Sequence, residues 1–139
     1  MSDTPRLPGL TLAEANQLVD TVHAVGAERG YSPLAVAVVD VTGEVLVLKR
    51  ADGGTPVTSR VAVAKARTAL RMLKPSGEVA LPDEVAGAVQ HLYSGDFVAR
   101  AGGVPIVQDG LVVGAAGASG AQSAEDEAAV RAAIEQLQA

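Results

Sequence analysis

The segment GGVPIVQDGLVVGAAGASGAQSAEDEAAV, from Gly102 to Val130, constrains the fold more than any other part of the chain. Six glycines fall within its first nineteen residues. Two short apolar runs flank Gln108-Asp109-Gly110, and Asp-Gly between apolar runs is a strong hairpin signal. The second run passes into the small-residue elbow Gly117-Ala118-Ser119-Gly120. Three acids, Glu125-Asp126-Glu127, then open a helix. Strands this poor in side chain suit close approach of another backbone, a flat ligand, or a bulge.

The rest of the chain supplies that hairpin with partners. Residues 1–10 hold two prolines and predict a flexible N-terminal arm, with a single domain over 11–139. Thr11-Leu12-Ala13-Glu14 is a capping box. It starts a helix that reaches about Glu28 and is stopped by Gly30. Leu12, Ala15, Val19, Val22 and Gly26 share one face of it, with Asn16 and His23 at the edge. Leu34–Val39 is a buried strand, Asp40–Gly43 a turn, and Glu44–Lys49 the returning strand. In that strand Glu44, Leu46 and Leu48 should face one way and Val45, Val47 and Lys49 the other. A second helix starts near Thr58 or Ser59 and runs to about Leu73. Pro75, Pro82, Gly87 and Gly95 break up residues 74–96, which predict one or two short helices. The last helix starts at about Ser123. Short turns make the sheet mainly antiparallel, so the fold class is α+β, one sheet with helices packed on it.

Composition narrows the function. The only aromatic residues are Tyr31, Tyr93 and Phe97, so the core is built from Ala, Val and Leu. A small domain with few large side chains buries limited area, which favours a homo-oligomer. The net charge of −5 argues against nucleic acid as a partner. It leaves room for an anionic small molecule in a local basic pocket. No cysteine is present, so thiolate chemistry and disulfides are excluded. No signal peptide and no membrane-length apolar run is visible, and a cytoplasmic protein is the simplest expectation.

Lys65 is the sharpest chemical signal. It falls in the middle of the apolar face Val61, Ala64, Thr68, Ala69 and Met72, whereas Arg60, Arg67, Arg71 and Lys74 fall on another arc as a solvated stripe would. A lysine on a core face must snorkel, find a carboxylate, or lose its proton. One reading makes it a pocket lysine that grips an anion or acts as base or amine nucleophile. The other pairs it structurally with Asp40, Asp52 or Asp126. The elbow before the last helix allows a similar choice. It is an anion site built from backbone N–H groups, or an ordinary capped helix in which Ser123 and Asp126 form the capping pair. Asp126 or Glu125 would face Lys65 in the first case. His23 and His91 cannot make a closed zinc site without carboxylates, but a haem needs only one axial ligand, and His23 is placed for that.

Three stretches together resemble one family. They are VAVVDVTGEVLVLKRADGG (36–54), SRVAVAKARTA (59–69), and GGVPI with GLVVGAAGASGA and EDE (102–127). In this order they are similar to the GlcG/HbpS family, the domain also found at the C-terminus of PduO proteins and labelled haem-binding or haem-degrading. The resemblance implies a profilin-like α/β/α sandwich with a five-stranded, mainly antiparallel sheet, assembly from dimer to octamer, and haem as a cofactor of several members. It maps the family's recurrent positions onto Arg50, Asp52, Ser59, Lys65, Thr68, Gly102, Gly103, Ser119, Gly120 and Asp126, among others. The family's Arg-Met-Asp-Gly is Arg50-Ala51-Asp52-Gly53 here, and no histidine stands within the three stretches.

Three functions fit these residues. The chain is a small-molecule binder with haem as the candidate ligand; His23 is then the candidate iron ligand, and Arg50, Ser59, Thr68, Gly102, Gly103, Ser119 and Gly120 are candidate contacts. It is instead a cofactor-free lyase, isomerase or hydrolase on a small carboxylate or carbonyl compound, using Lys65 with Asp126 or Asp52. Or it is a structural oligomeric module.

Overall fold

The computed structural model describes residues 4–139. Of the arm expected over 1–10, residues 1–3 lie outside the described residues. Residues 4–8 are exposed, and Leu10 already packs on the main core. Helix α1 spans Leu12–Glu28, strand β1 Ala35–Val39, β2 Val45–Arg50, and α2 Pro56–Met72. A short 3-10 turn at Ser76–Glu78 precedes α3, Asp83–Leu92. Strands β3, Gly103–Gln108, and β4, Leu111–Ser119, lead into α4, Ser123–Gln138.

The capping box forms as expected. The Glu14 N–H donates to Thr11 Oγ1 at 3.1 Å, and the Thr11 N–H donates to Glu14 Oε1 at 2.9 Å. The buried face of α1 is Ala15, Leu18, Val19, Val22, Val25 and Gly26. Leu12, expected on that face, is 63% exposed; it is the first residue of the helix, directly after the Thr11 cap, and the buried face begins at Ala15. Helix α2 starts earlier than Thr58, since Pro56 sits in its first turn, where a missing N–H and a fixed φ cost nothing.

The sheet has four strands in the order β2-β1-β4-β3, all antiparallel, where five were expected. Residues 74–100 have no stretch that could add a ladder. Their prolines and glycines interrupt it, and the chain builds the 3-10 turn and α3 instead. Asp109 and Gly110 close the β3–β4 hairpin with φ of +53° and +77°, as a two-residue type I′ turn requires. The expected alternation of β2 is broken by a bulge. Val38 pairs with Val47 but Val39 with Val45, so Leu46 is the extra residue, and both Leu46 and Val47 pack on the main core.

Alternation in β1 and β4 separates two unlike layers. Val36, Val38, Ala116 and Ala118 face α1 and α4 and form the main core with Leu18, Val19, Val22 and Val130. Ala35, Ala37, Val39 and Ala115 face α2, which answers with Ala62, Ala66 and Ala69. Alanine against alanine lets α2 lie very close to the sheet. The glycines complete that fit. A Cβ at Gly117 would stand 2.3 Å from Ala62 O, and one at Gly103 2.1 Å from Lys65 O. The side-chain-poor hairpin therefore serves as a seat for the α2 backbone.

Asp40 holds the β1–β2 turn. Its Oδ1 accepts from the Thr42 N–H at 2.8 Å, the Thr42 hydroxyl at 2.5 Å and the Glu44 N–H at 3.2 Å. Burial pushes its carboxyl up, but the hydrogen bonds from Thr42, Glu44 and Gly43 together hold it below the ordinary value. A lowered folded-state value gives stability that is present above the unfolded value and lost as pH falls through the folded one. Asp40→Ala should therefore cost about 1–2 kcal/mol at neutral pH. The gap to the wild type should narrow in strong acid, which urea unfolding at pH 7 and pH 3 will measure.

Candidate functional site

Lys65 and Asp126 meet inside the protein. Lys65 Nζ lies 3.1 Å from Asp126 Oδ2 and 3.2 Å from Ala118 O, and both residues are enclosed, at 3% and 1% exposure. Lys65 comes from α2 on one face of the sheet and Asp126 from the first turn of α4 on the other. The pair bridges the two layers where β3 begins and β4 ends. Gly102 makes room for it, since a Cβ there would stand 2.8 Å from Lys65 Nζ and 2.6 Å from Ala118 O. Of the three acids considered for Lys65, Asp126 is its partner. Burial pushes the Asp126 carboxyl up, and the Lys65 ammonium beside it offsets only part of that rise.

Asp126 does not cap α4 with Ser123. The N-cap is Gln122, one residue earlier, and its N–H donates to Glu125 Oε1 at 3.2 Å. That frame puts Asp126 on the helix face shared by Ala129, Val130 and Ala133, so it turns inward. There its Oδ1 accepts from the Ala121 N–H at 3.0 Å. Every polar atom of the pair has a partner, and neither residue lines the large cleft described below.

The other candidate residues are spread around the fold. Thr68 is buried in α2; its hydroxyl donates to Ala64 O at 2.7 Å and accepts from the Val98 N–H at 2.9 Å, which ties the 97–98 segment down. Gly103 N–H donates to Ser76 Oγ at 2.8 Å. Gly120 approaches Pro33 O so closely that a Cβ would stand 2.2 Å away. Ser119 ends β4, paired with Ala35. Arg50 is exposed and reaches Ser59, with Nη1 3.4 Å from Oγ. Asp52 is exposed, and with His23, Tyr31, Pro33 and Leu34 it borders a hollow of about 200 Å³. His23 Nε2 lies 2.9 Å from Lys49 O, so that nitrogen donates to a backbone carbonyl. His91 is exposed on α3. Among the described residues, no cluster of three or more His, Cys, Asp or Glu side chains is arranged to hold a metal ion.

A larger cleft of about 650 Å³ lies on the α2 face of the sheet. Leu48 of β2, then Ser59, Arg60, Val61, Val63, Ala64 and Arg67 of α2, form two of its walls. Tyr93–Asp96 and Val98 form the third. Arg67 and Arg71, expected to be solvated with Arg60 and Lys74, are half-buried instead. Asp96 Oδ2 lies 3.1 Å from Arg67 Nη1 and 3.2 Å from Arg71 Nη2, and Arg71 also donates to the Asp96 carbonyl. Arg67 Nε donates to Gly43 O at 2.8 Å. The Tyr93 ring stacks with Phe97 at 6.1 Å between centroids, and the Arg71 guanidinium lies 3.8 Å over it. Of the candidate contacts, only Ser59 belongs to this cleft. Beyond α2, its walls come from two further segments, β2 and Tyr93–Val98. One sequence signal did point there: two of the three aromatic residues flank Asp96 within five positions.

Comparison with known proteins agrees with this architecture. GlcG of Escherichia coli (strain K12) is 31% identical over 109 residues, covering 76% of this chain and 80% of GlcG. The crystal structure of HbpS superposes with a TM-score of 0.82 at 30% identity, covering 97% of this chain and 94% of that one. The crystal structure of a PduOC:heme complex matches with a TM-score of 0.82 at 26% identity, over 92% of this chain and 94% of that one. Among the described residues no helix is long and apolar enough to cross a membrane. The family model described as haem degrading protein HbpS-like matches residues 10–135, and the chain is a member of that HbpS-like family.

Proposed function

We propose that this protein binds a flat, largely apolar small molecule that bears carboxylates, with haem as the ligand, in the cleft between β2, α2 and the Tyr93–Val98 segment. The observation behind this reading is the composition of that cleft. Leu48, Val61, Val63 and Val98 offer apolar wall, and Arg60 and Arg67 bring guanidinium groups to it within about 650 Å³. Apolar lining with a few placed polar groups is the usual make-up of a small-molecule site. Guanidinium groups match carboxylates such as haem propionates in geometry and charge. Bound haem would supply an iron centre whose behaviour depends on its axial ligand and the polarity of the wall around it. The residues of the cleft bind and orient, and they exclude water from the apolar faces.

Lys65 and Asp126 support a structural role better than a catalytic one. Both are enclosed and fully hydrogen-bonded, and a base or amine nucleophile needs access to substrate. Helix α3 has no buried residue and leaves Val85 and Leu92 exposed, which supports assembly into a homo-oligomer.

Hemin titration followed by absorbance tests the reading. The wild type should give a stoichiometric Soret shift. Leu48 is 41% exposed, so Leu48→Glu should fold normally. A carboxylate in the apolar wall should weaken hemin binding by at least about tenfold, since it sets a charge against the apolar face of the ligand and competes with the propionates for Arg60 and Arg67. Unchanged affinity in Leu48→Glu would place the ligand elsewhere.

A further inference from the structure

We infer that Tyr93 is the side chain that ligates the iron of haem held in this cleft, through its phenol oxygen. The inference rests on the reading of the cleft given above and assigns a residue within it. Iron needs an axial donor from the protein, and His, Cys, Met and Tyr are the side chains that supply one. The cleft contains no histidine, cysteine or methionine, and Tyr93 is the only residue of those four types among its walls. The two histidines are placed elsewhere. His23 gives its Nε2 to the Lys49 carbonyl beside a hollow of about 200 Å³, and His91 stands exposed on α3.

The surroundings of Tyr93 fit the task. It ends α3 as its C-cap, directly before Ser94 and Gly95, whose φ of +54° and +82° turn the chain sharply. The ring is half-buried and held by Phe97 and by Arg71, whose guanidinium lies 3.8 Å over it. Asp96 anchors Arg71 in turn, through its carboxylate and its carbonyl. The phenol hydroxyl makes no hydrogen bond to another described residue. An oriented ring with an uncommitted oxygen is what a ligand needs. Ligation by Tyr93 would release its phenol proton to solvent, and the Arg71 cation over the ring would meet the negative charge left there. An anionic oxygen donor favours the ferric over the ferrous ion, so the oxidised cofactor should be held more tightly.

Hemin titration of the full chain tests this, with Tyr93→Phe, His23→Ala and His91→Ala beside the wild type. Phenylalanine keeps the stack on Phe97 and the contact with Arg71, and circular dichroism will check that it folds. The wild type should show the high-spin ferric spectrum with the charge-transfer band of a phenolate ligand. Tyr93→Phe should lose that band and bind at least about tenfold more weakly. Both histidine variants should match the wild type. Dithionite reduction of the wild-type complex should weaken binding. A wild-type spectrum and affinity in Tyr93→Phe would overturn the assignment of Tyr93 alone, as would loss of the wild-type spectrum in either histidine variant. Absence of any hemin binding by the wild type would overturn the cleft reading with it.

Discussion

Lys65→Met is expected to destabilise the fold by about 3–5 kcal/mol at neutral pH, because it leaves the Asp126 carboxylate charged and unpaired in the interior. Asp126 is 1% exposed, and the hydrogen bond left to it is the one from the Ala121 N–H, 3.0 Å from Oδ1. The loss should depend on pH in a definite direction. Burial already pushes the Asp126 carboxyl up, and the Lys65 ammonium is what pulls it back. Without that ammonium the folded-state value rises further above the unfolded one. A raised folded-state value gives stability that is fully present below the unfolded value and lost as pH rises through the folded one. Lys65→Met should therefore come closest to the wild type in acid and fall away from it towards neutral and basic pH. Urea unfolding at pH 5 and pH 8 measures this.

The double variant Lys65→Met, Asp126→Asn separates the pair's cost from a role in chemistry. Asparagine is neutral and keeps an acceptor for the Ala121 N–H. The double variant should recover most of the loss, to within about 1–2 kcal/mol of the wild type, since replacing both members of a buried pair is far milder than orphaning one. If Lys65→Met leaves stability unchanged at both pH values, the pair is not a strut between the layers. The lysine would then have to be explained by function.

Gly117→Ala and Gly103→Ala are expected to be as damaging, by a different physical route. A Cβ at Gly117 would stand 2.3 Å from Ala62 O and 2.7 Å from Ala66 N, both backbone atoms of α2. A Cβ at Gly103 would meet Lys65 O at 2.1 Å and Lys65 C at 2.6 Å. No side chain can rotate away to relieve these contacts, so α2 would have to lift off the sheet. Overpacking commonly costs about 1–3 kcal/mol and more where the backbone must move; a loss above about 3 kcal/mol is expected here. Gly87→Ala is the control. Its Cβ would meet nothing within 4 Å, and it lies inside α3, where alanine is the better helix former. It should be neutral or mildly stabilising. Thermal unfolding of the three variants decides the point. Equal, small effects at all three positions would show that the close seat of α2 is not what the glycines provide.

The helices and the hairpin were legible because their signals are local. The Thr11–Glu14 box and the Asp109-Gly110 turn each involve residues within a few positions of one another, and each formed as the pattern predicted; α4 also begins at Ser123, but with Gln122 as its N-cap in place of the expected Ser123–Asp126 pair. The alternation of β2 failed because a bulge at Leu46 is set by pairing with β1, which local pattern does not encode. Arg67 and Arg71 looked like part of a solvated stripe on a helical wheel. Asp96, about thirty positions away for Arg67, draws them in.

The site divides in the same way. The sequence by itself placed Lys65 on the core face of α2, since one charged residue in an apolar arc is visible from periodicity alone. It also limited the core to small aliphatic side chains. Only the tertiary structure chose Asp126 among the acids and showed the glycines to be seats for α2. It also brought Leu48, Arg60, Arg67 and Tyr93 around one cleft. Periodicity reports which side of an element faces inward. Which residue waits on the other side depends on strand order and helix packing, and those arise from contacts between segments far apart in the chain.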